Sequence, residues 1–160
     1  FSEEAVRDMG RTASGVRGIR LREEDYVVGA ALMNEDQEVL IITEKGYGKR
    51  TKVSEYPVKG RGGKGIKTAN ITEKNGPLAG LATVVGDEDI MLITDKGVII
   101  RFNVATVSQT GRATLGVRLI KMEADTKVVT MATVEPESPE EPTSEEVDAS
   151  TETTDDQSEE

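Results

Sequence analysis

The chain contains no cysteine and no histidine. Their absence excludes disulfides, thiolate nucleophiles, imidazole bases and nearly every zinc site made from side chains. Tryptophan is missing as well, and only two phenylalanines and three tyrosines occur in 160 residues. A folded core must therefore be built from aliphatic side chains. Long apolar runs are also lacking. The most extended, "VVGAALM" at 27–33, is far short of the roughly 20 residues a membrane helix requires. No secretory leader pattern opens the sequence. It starts at Phe1 rather than at methionine, so a piece of a longer protein is expected.

The net charge of −10 averages two unlike parts. Residues 135–160 carry 12 acids and no base. The preceding 134 residues hold the other 18 acids against all 20 bases, a net of +2. Within that body, residues 45–67 concentrate eight cations against Glu55 alone. The acidic stretch has three prolines and one sizeable apolar residue, Val147. It cannot bury enough surface to offset chain entropy, so a disordered tail is expected. A tether of such charge can reach the basic body and compete with an anionic partner.

Internal repetition dominates the rest. "GRTASGV" (10–16), "GRGGKGI" (60–66) and "GRATLGV" (111–117) share Gly-Arg-x-x-x-Gly-(Val/Ile) at offsets of 50 and 51. "IITEKG" (41–46) returns as "LITDKG" (92–97), and "VVGAA" (27–31), "LAGLA" (78–82) and "VVTMA" (128–132) form a third series. The chain thus holds two full repeats and the first half of a third. Runs such as "EVLIIT" and "DIMLIT" predict short strands, and "EKG" and "DKG" predict hairpin loops with a left-handed glycine. "KNGP" (74–77) predicts another turn. Helical periodicity is confined to a possible turn near Ser2–Arg7. All-β units of about 50 residues point to a radial array of propeller-like blades.

The densest stretch, "KGRGGKGIK" (59–67), puts four cations and four glycines into nine residues. Gly60-x-Gly62-x-x-Gly65 satisfies a dinucleotide-binding pattern literally. That pattern needs a following helix, and "IKTANIT" predicts a strand-like segment instead. Because the loop recurs in each unit, Gly10, Gly15, Gly60, Gly62, Gly63, Gly65, Gly111 and Gly116 are expected to be architectural. Folding does not require the cations. Arg/Lys beside a glycine-rich turn suits phosphate oxygens, and the rival reading is an ordinary solvated surface. No paired acids or activated nucleophile suggest catalysis. The clusters "EED" (23–25) and "DED" (87–89) read as turn residues.

"MGRTASGVRGIRL" (9–21), "TEKGYGKRTKVSEYPVKGRGGKGIKTANITEKNGPLAG" (43–80), "MLITDKGVIIRF" (91–102) and "GRATLGVRLIKM" (111–122) together resemble the C-terminal domain of the DNA gyrase A protein. The resemblance covers about residues 1–134 and implies a β-pinwheel, a propeller-like disc whose neighbouring blades exchange strands. Residues 135–160 would be the acidic tail that often follows it. The implied role is binding and wrapping of double-stranded DNA for a cytoplasmic bacterial type II topoisomerase that introduces negative supercoils. The implied partners are the rest of a dimeric gyrase A protein and the gyrase B protein, in an A2B2 assembly, with no membrane involved. ATP and Mg2+ would be used by other regions, and this stretch would hold no cofactor, no metal and no catalytic residue. The implied DNA-binding residues are Arg11, Lys49, Arg50, Lys52, Lys59, Arg61, Lys64, Lys67 and Arg112.

That family's signature box reads Gln-Arg-Arg-Gly-Gly-Lys-Gly. Arg61 to Gly65 match its last five positions, while Lys59 and Gly60 replace Gln-Arg, which marks an equivalent loop of a later blade. The corresponding domain of topoisomerase IV and a propeller-like protein-interaction module are the alternatives.

Overall fold

The computed structural model describes residues 1–136; the acidic tail from 137 onward, with its expected disorder, lies outside the described residues. Two antiparallel sheets carry the fold. The first is ordered β3-β1-β2-β6 and the second β5-β4-β7. Here β1 is Glu38–Thr43, β2 Tyr47–Lys52, β3 Leu78–Val84, β4 Asp89–Thr94, β5 Ile99–Asn103, β6 Val117–Arg118 and β7 Val128–Val134. Helical structure among the described residues is limited to three short 3-10 turns. One of them, Glu3–Ala5, is capped by Ser2 and falls in the stretch where a turn was expected.

The second sheet repeats the first almost residue for residue. Glu38 faces Lys52 and Val84 in one, as Asp89 faces Asn103 and Val134 in the other. Both last strands shift register at the same point, between Ile42 and Thr43 and between Ile93 and Thr94. Both hairpins turn on a left-handed glycine, Gly46 and Gly97. In each, the glycine N–H donates at 3.0 Å to the carbonyl of Thr43 or Thr94. Even the ion pair across the hairpin recurs, Arg50–Glu38 at 2.9 Å and Arg101–Asp89 at 2.8 Å.

A core of aliphatic side chains lies between the sheets, drawing Leu40, Ile42 and Val84 from one and Ile90, Leu92 and Val128 from the other. Strand β4 alternates accordingly, with Ile90 and Leu92 buried. Strand β1 is apolar from residue 39 to 42 because its other face also packs, Val39 and Ile41 meeting Ala69, Tyr56 and Leu81. Two stacked sheets, each a repeat of the other, are successive blades of a propeller.

The sheets divide the chain differently from the repeat in the sequence. A blade takes its hairpin from the end of one sequence unit and its last strand from the start of the next. Residues 10–37, part of a chain read as all-β units, form no strand among the described residues. The reason lies in pairing. Segments 78–84 and 128–134 each hydrogen-bond to the first strand of a preceding hairpin. Segment 27–33 holds the same place, but no described hairpin precedes it, and Leu32 is 88% exposed.

Candidate nucleic-acid interface

The three Gly-Arg-x-x-x-Gly loops lie side by side. Gly62 N–H donates to Gly18 O at 2.7 Å and Arg20 N–H to Gly63 O at 2.8 Å, joining the exit of the first loop to the second. Asn70 N–H donates to Thr114 O at 2.9 Å, joining the exit of the second to the third. The later glycine of each motif is the one in the left-handed region, with φ of 79° at Gly15, 76° at Gly65 and 81° at Gly116. Gly62 shares that conformation, whereas Gly10, Gly60, Gly63 and Gly111 do not. A bound nucleotide is not supported, since among the described residues no α-helix follows Gly65 to receive a pyrophosphate.

Gly116 has a second constraint. A Cβ there would sit 2.8 Å from Gly48 O, because Val117 pairs with Gly48 at the edge of β2. Strand β6 therefore lies in the connection between β5 and β7 of the second sheet and completes the edge of the first. Arg118 next to it stacks over the Tyr47 ring, 5.4 Å from its centroid, and donates to Tyr47 Oη at 3.0 Å.

The nine cations implied as DNA-binding separate into groups. Arg11, Lys52, Lys59, Lys64 and Lys67 are exposed; Lys67 donates to Asn70 Oδ1 at 3.0 Å on the surface. Arg61, also exposed, donates through Nε to Ala5 O at 3.1 Å and through Nη1 to Arg17 O at 3.0 Å. Arg112 is half-buried, its main-chain N–H held by Glu55 Oε2 at 2.8 Å.

Two of the nine turn inward, contrary to the reading from sequence. Lys49 is wholly buried. Its ammonium donates to Gly111 O at 2.7 Å, Arg112 O at 2.5 Å and Thr114 Oγ1 at 3.2 Å. Burial lowers its pKa from the ordinary 10.5; the Glu55 carboxylate opposes that and the Arg112 guanidinium adds to it. Such a group anchors the third loop and is closed to phosphate. Arg50 is half-buried, pairing with Glu38 and donating to Val107 O at 2.8 Å. It grips the chain that leads into the third loop.

The row of loops also exposes cations outside the implied set: Arg17, Arg20, Arg22 and Arg118. A signal for two of them was present. Arg17, Lys67 and Arg118 each directly follow a copy of the motif, so the repeat is better written with a cation at its eighth position.

A family model described as the DNA gyrase C-terminal domain, beta-propeller, matches residues 1–32, 37–84 and 88–135. The chain belongs to this DNA gyrase C-terminal domain family. The breaks at 33–36 and 85–87 fall just ahead of β1 and β4, where the sheets themselves divide the chain. The DNA gyrase A protein of Staphylococcus aureus strain MRSA252 is 54% identical over 143 residues, 88% of this chain and 16% of the relative. That of strain NCTC 8325 is 52% identical over 153 residues, 94% of this chain and 17% of the relative. The chain thus spans about a sixth of these gyrase proteins.

Among solved structures, a DNA gyrase A C-terminal domain superposes with a TM-score of 0.75 at 26% identity, covering 82% of this chain and 45% of that one. The C-terminal domain of a DNA topoisomerase IV gives 0.77 at 25% identity, covering 83% and 42%. The two folds are equally near, and sequence identity above one half places this chain with the gyrase A proteins, which belong to a type II topoisomerase.

Proposed function

We propose that this chain is part of the surface on which a bacterial, cytoplasmic DNA gyrase holds and bends double-stranded DNA, in support of ATP-dependent negative supercoiling by an A2B2 assembly. The observation that carries the reading is the row of three Gly-Arg-x-x-x-Gly loops, tied edge to edge and presenting Arg11, Arg17, Arg20, Lys59, Lys64 and Lys67 to solvent. A row of cations on a rigid blade edge suits backbone phosphates and bending, and carries no base readout. ATP, Mg2+ and DNA cleavage belong to other regions of the assembly.

A salt titration of duplex binding tests the reading. Lys59→Ala and Lys64→Ala are each expected to reduce the slope of log K against log salt by roughly 0.9, and equally for unrelated sequences. Unchanged slopes in both variants would refute phosphate contact at this loop.

The tail gives a second expectation. Truncation after Val134 removes the 12 acids of residues 135–160 and should tighten binding at low salt. The gain should shrink as the screening length falls to about 8 Å near physiological salt. Equal affinity with and without the tail at low salt would show that it does not compete.

A further inference from the structure

We propose that Arg61 and Arg112, the motif arginines of the second and third loops, are positioning residues, which fix each of these loops against the loop of the repeat before it and are not themselves phosphate ligands. This rests on the DNA-binding reading above and assigns a separate task to two of its cations.

One contact is made twice. Arg61 Nη1 donates to Arg17 O at 3.0 Å, and Arg112 Nη1 donates to Lys67 O at 2.5 Å. Arg61 and Arg112 hold the second position of successive motif copies, and Arg17 and Lys67 hold the eighth position of the copies before them. A contact that recurs between equivalent atoms of two repeats is a property of the repeat. Arg61 adds a second donor, Nε to Ala5 O at 3.1 Å, so two edges of its guanidinium point into the protein.

The carbonyls that accept these bonds belong to the residues whose own side chains are the exposed cations Arg17 and Lys67. Each arginine therefore fixes the peptide plane from which a neighbouring cation projects. The planar guanidinium has donors in a fixed fork, so it sets direction as well as distance. A lysine in its place carries a compact point charge on a flexible stem and lacks the planar fork that fixes direction. The spacing of cations from loop to loop decides how far DNA must curve to meet all of them, so loss of the tie should relax curvature before it lowers affinity.

The test uses the full-length gyrase A protein that contains this chain, assembled with the gyrase B protein, carrying Arg61→Ala and Arg112→Ala together. Two readouts are taken: the salt slope of binding to a short linear duplex, and the linking-number change retained when relaxed circles are nicked and resealed on the protein. We expect a slope within about 0.3 of the unsubstituted protein, against a loss of roughly 1.8 if both arginines neutralise phosphates. The linking-number change per bound complex should fall at least twofold, and the Arg61→Lys, Arg112→Lys protein should not restore it.

A slope lowered by about 1.8 and restored by lysine would overturn the proposal. So would an unchanged linking number in the alanine protein. If the unsubstituted protein showed no salt-dependent binding, the DNA-binding reading itself would fail, which is a distinguishable outcome. Circular dichroism melts confirm folding. Should the double variant not fold, Arg61→Ala alone is measured in the same way, with the same expectation for linking number and a slope loss below 0.3 against roughly 0.9 for a phosphate ligand.

Discussion

Lys49→Met is expected to lower the melting temperature of this chain by roughly 6–12 °C, from a loss of about 3 kcal/mol. Methionine keeps most of the volume and fills the buried space. It leaves the carbonyls of Gly111 and Arg112 and the hydroxyl of Thr114 without the donor that now serves all three. Hydrogen bonds from a charged donor are worth about 1.5–3 kcal/mol each, and the desolvation of the ammonium offsets part of the three. The effect should also depend on pH in a defined direction. Burial lowers the Lys49 pKa in the folded chain below its unfolded value of 10.5. Between the two values the unfolded chain binds more protons, so the unsubstituted protein gains stability as pH rises through that window. The gap between it and Lys49→Met should therefore widen toward pH 10. A gap that narrows, or a melting temperature within 2 °C at neutral pH, would mean that Lys49 does not hold the loop. Hydrogen exchange offers a local reading: the Leu119 amide, bonded to Gly46 O at 2.9 Å, should lose protection first.

Gly116→Ala should be more damaging than Gly65→Ala, although the two glycines occupy the same position of the repeat. Both have positive φ, 81° and 76°, and an alanine forced there costs about 1–2 kcal/mol. At Gly65 nothing further stands in the way, the nearest atom to a Cβ being Ile19 Cδ1 at 3.6 Å. At Gly116 the Cβ would lie 2.8 Å from the backbone oxygen of Gly48. Gly48 cannot retreat, because it is itself hemmed in by Ile42 and Leu119. Strand β6 must then move off β2, raising the total to the order of 3 kcal/mol or more. Equal melting temperatures for the two variants would show that the close approach of β6 is not maintained in solution.

Much of this was legible in the sequence because repetition exposes what one copy hides. The hairpins at Gly46 and Gly97, the Asn-Gly turn at Gly76 and the aliphatic core followed from local signals that agree with the fold. Strand β2, "YGKRTK", carries no apolar alternation and is recognisable only as the counterpart of β5. The inward turn of Lys49 was not legible for the same reason. Its burial depends on carbonyls 62 and 63 residues further on, and spacing along one strand does not announce such a partner. Nor did the motif arginines betray their in-chain acceptors, since Gly-Arg-x-x-x-Gly reads equally well as a phosphate loop. Residues 27–33 show the converse failure. Their pattern is that of a strand, but a strand is made by its neighbour as much as by its own residues.

The strand Val117–Arg118, carried by the connection within the second blade and finishing the sheet of the first, has a consequence for how such an array comes apart. In a simple row of repeats each unit opens alone, at the cost of its own bonds and one interface. Here the connection between β5 and β7 runs through the neighbouring sheet, so pulling the second blade loose must unzip the edge of the first. Unfolding should advance in steps that straddle two blades, with no single blade as an intermediate. Proteolysis within 104–116 would leave the β6 edge bonded to β2 after its link to the β4–β5 hairpin had been cut.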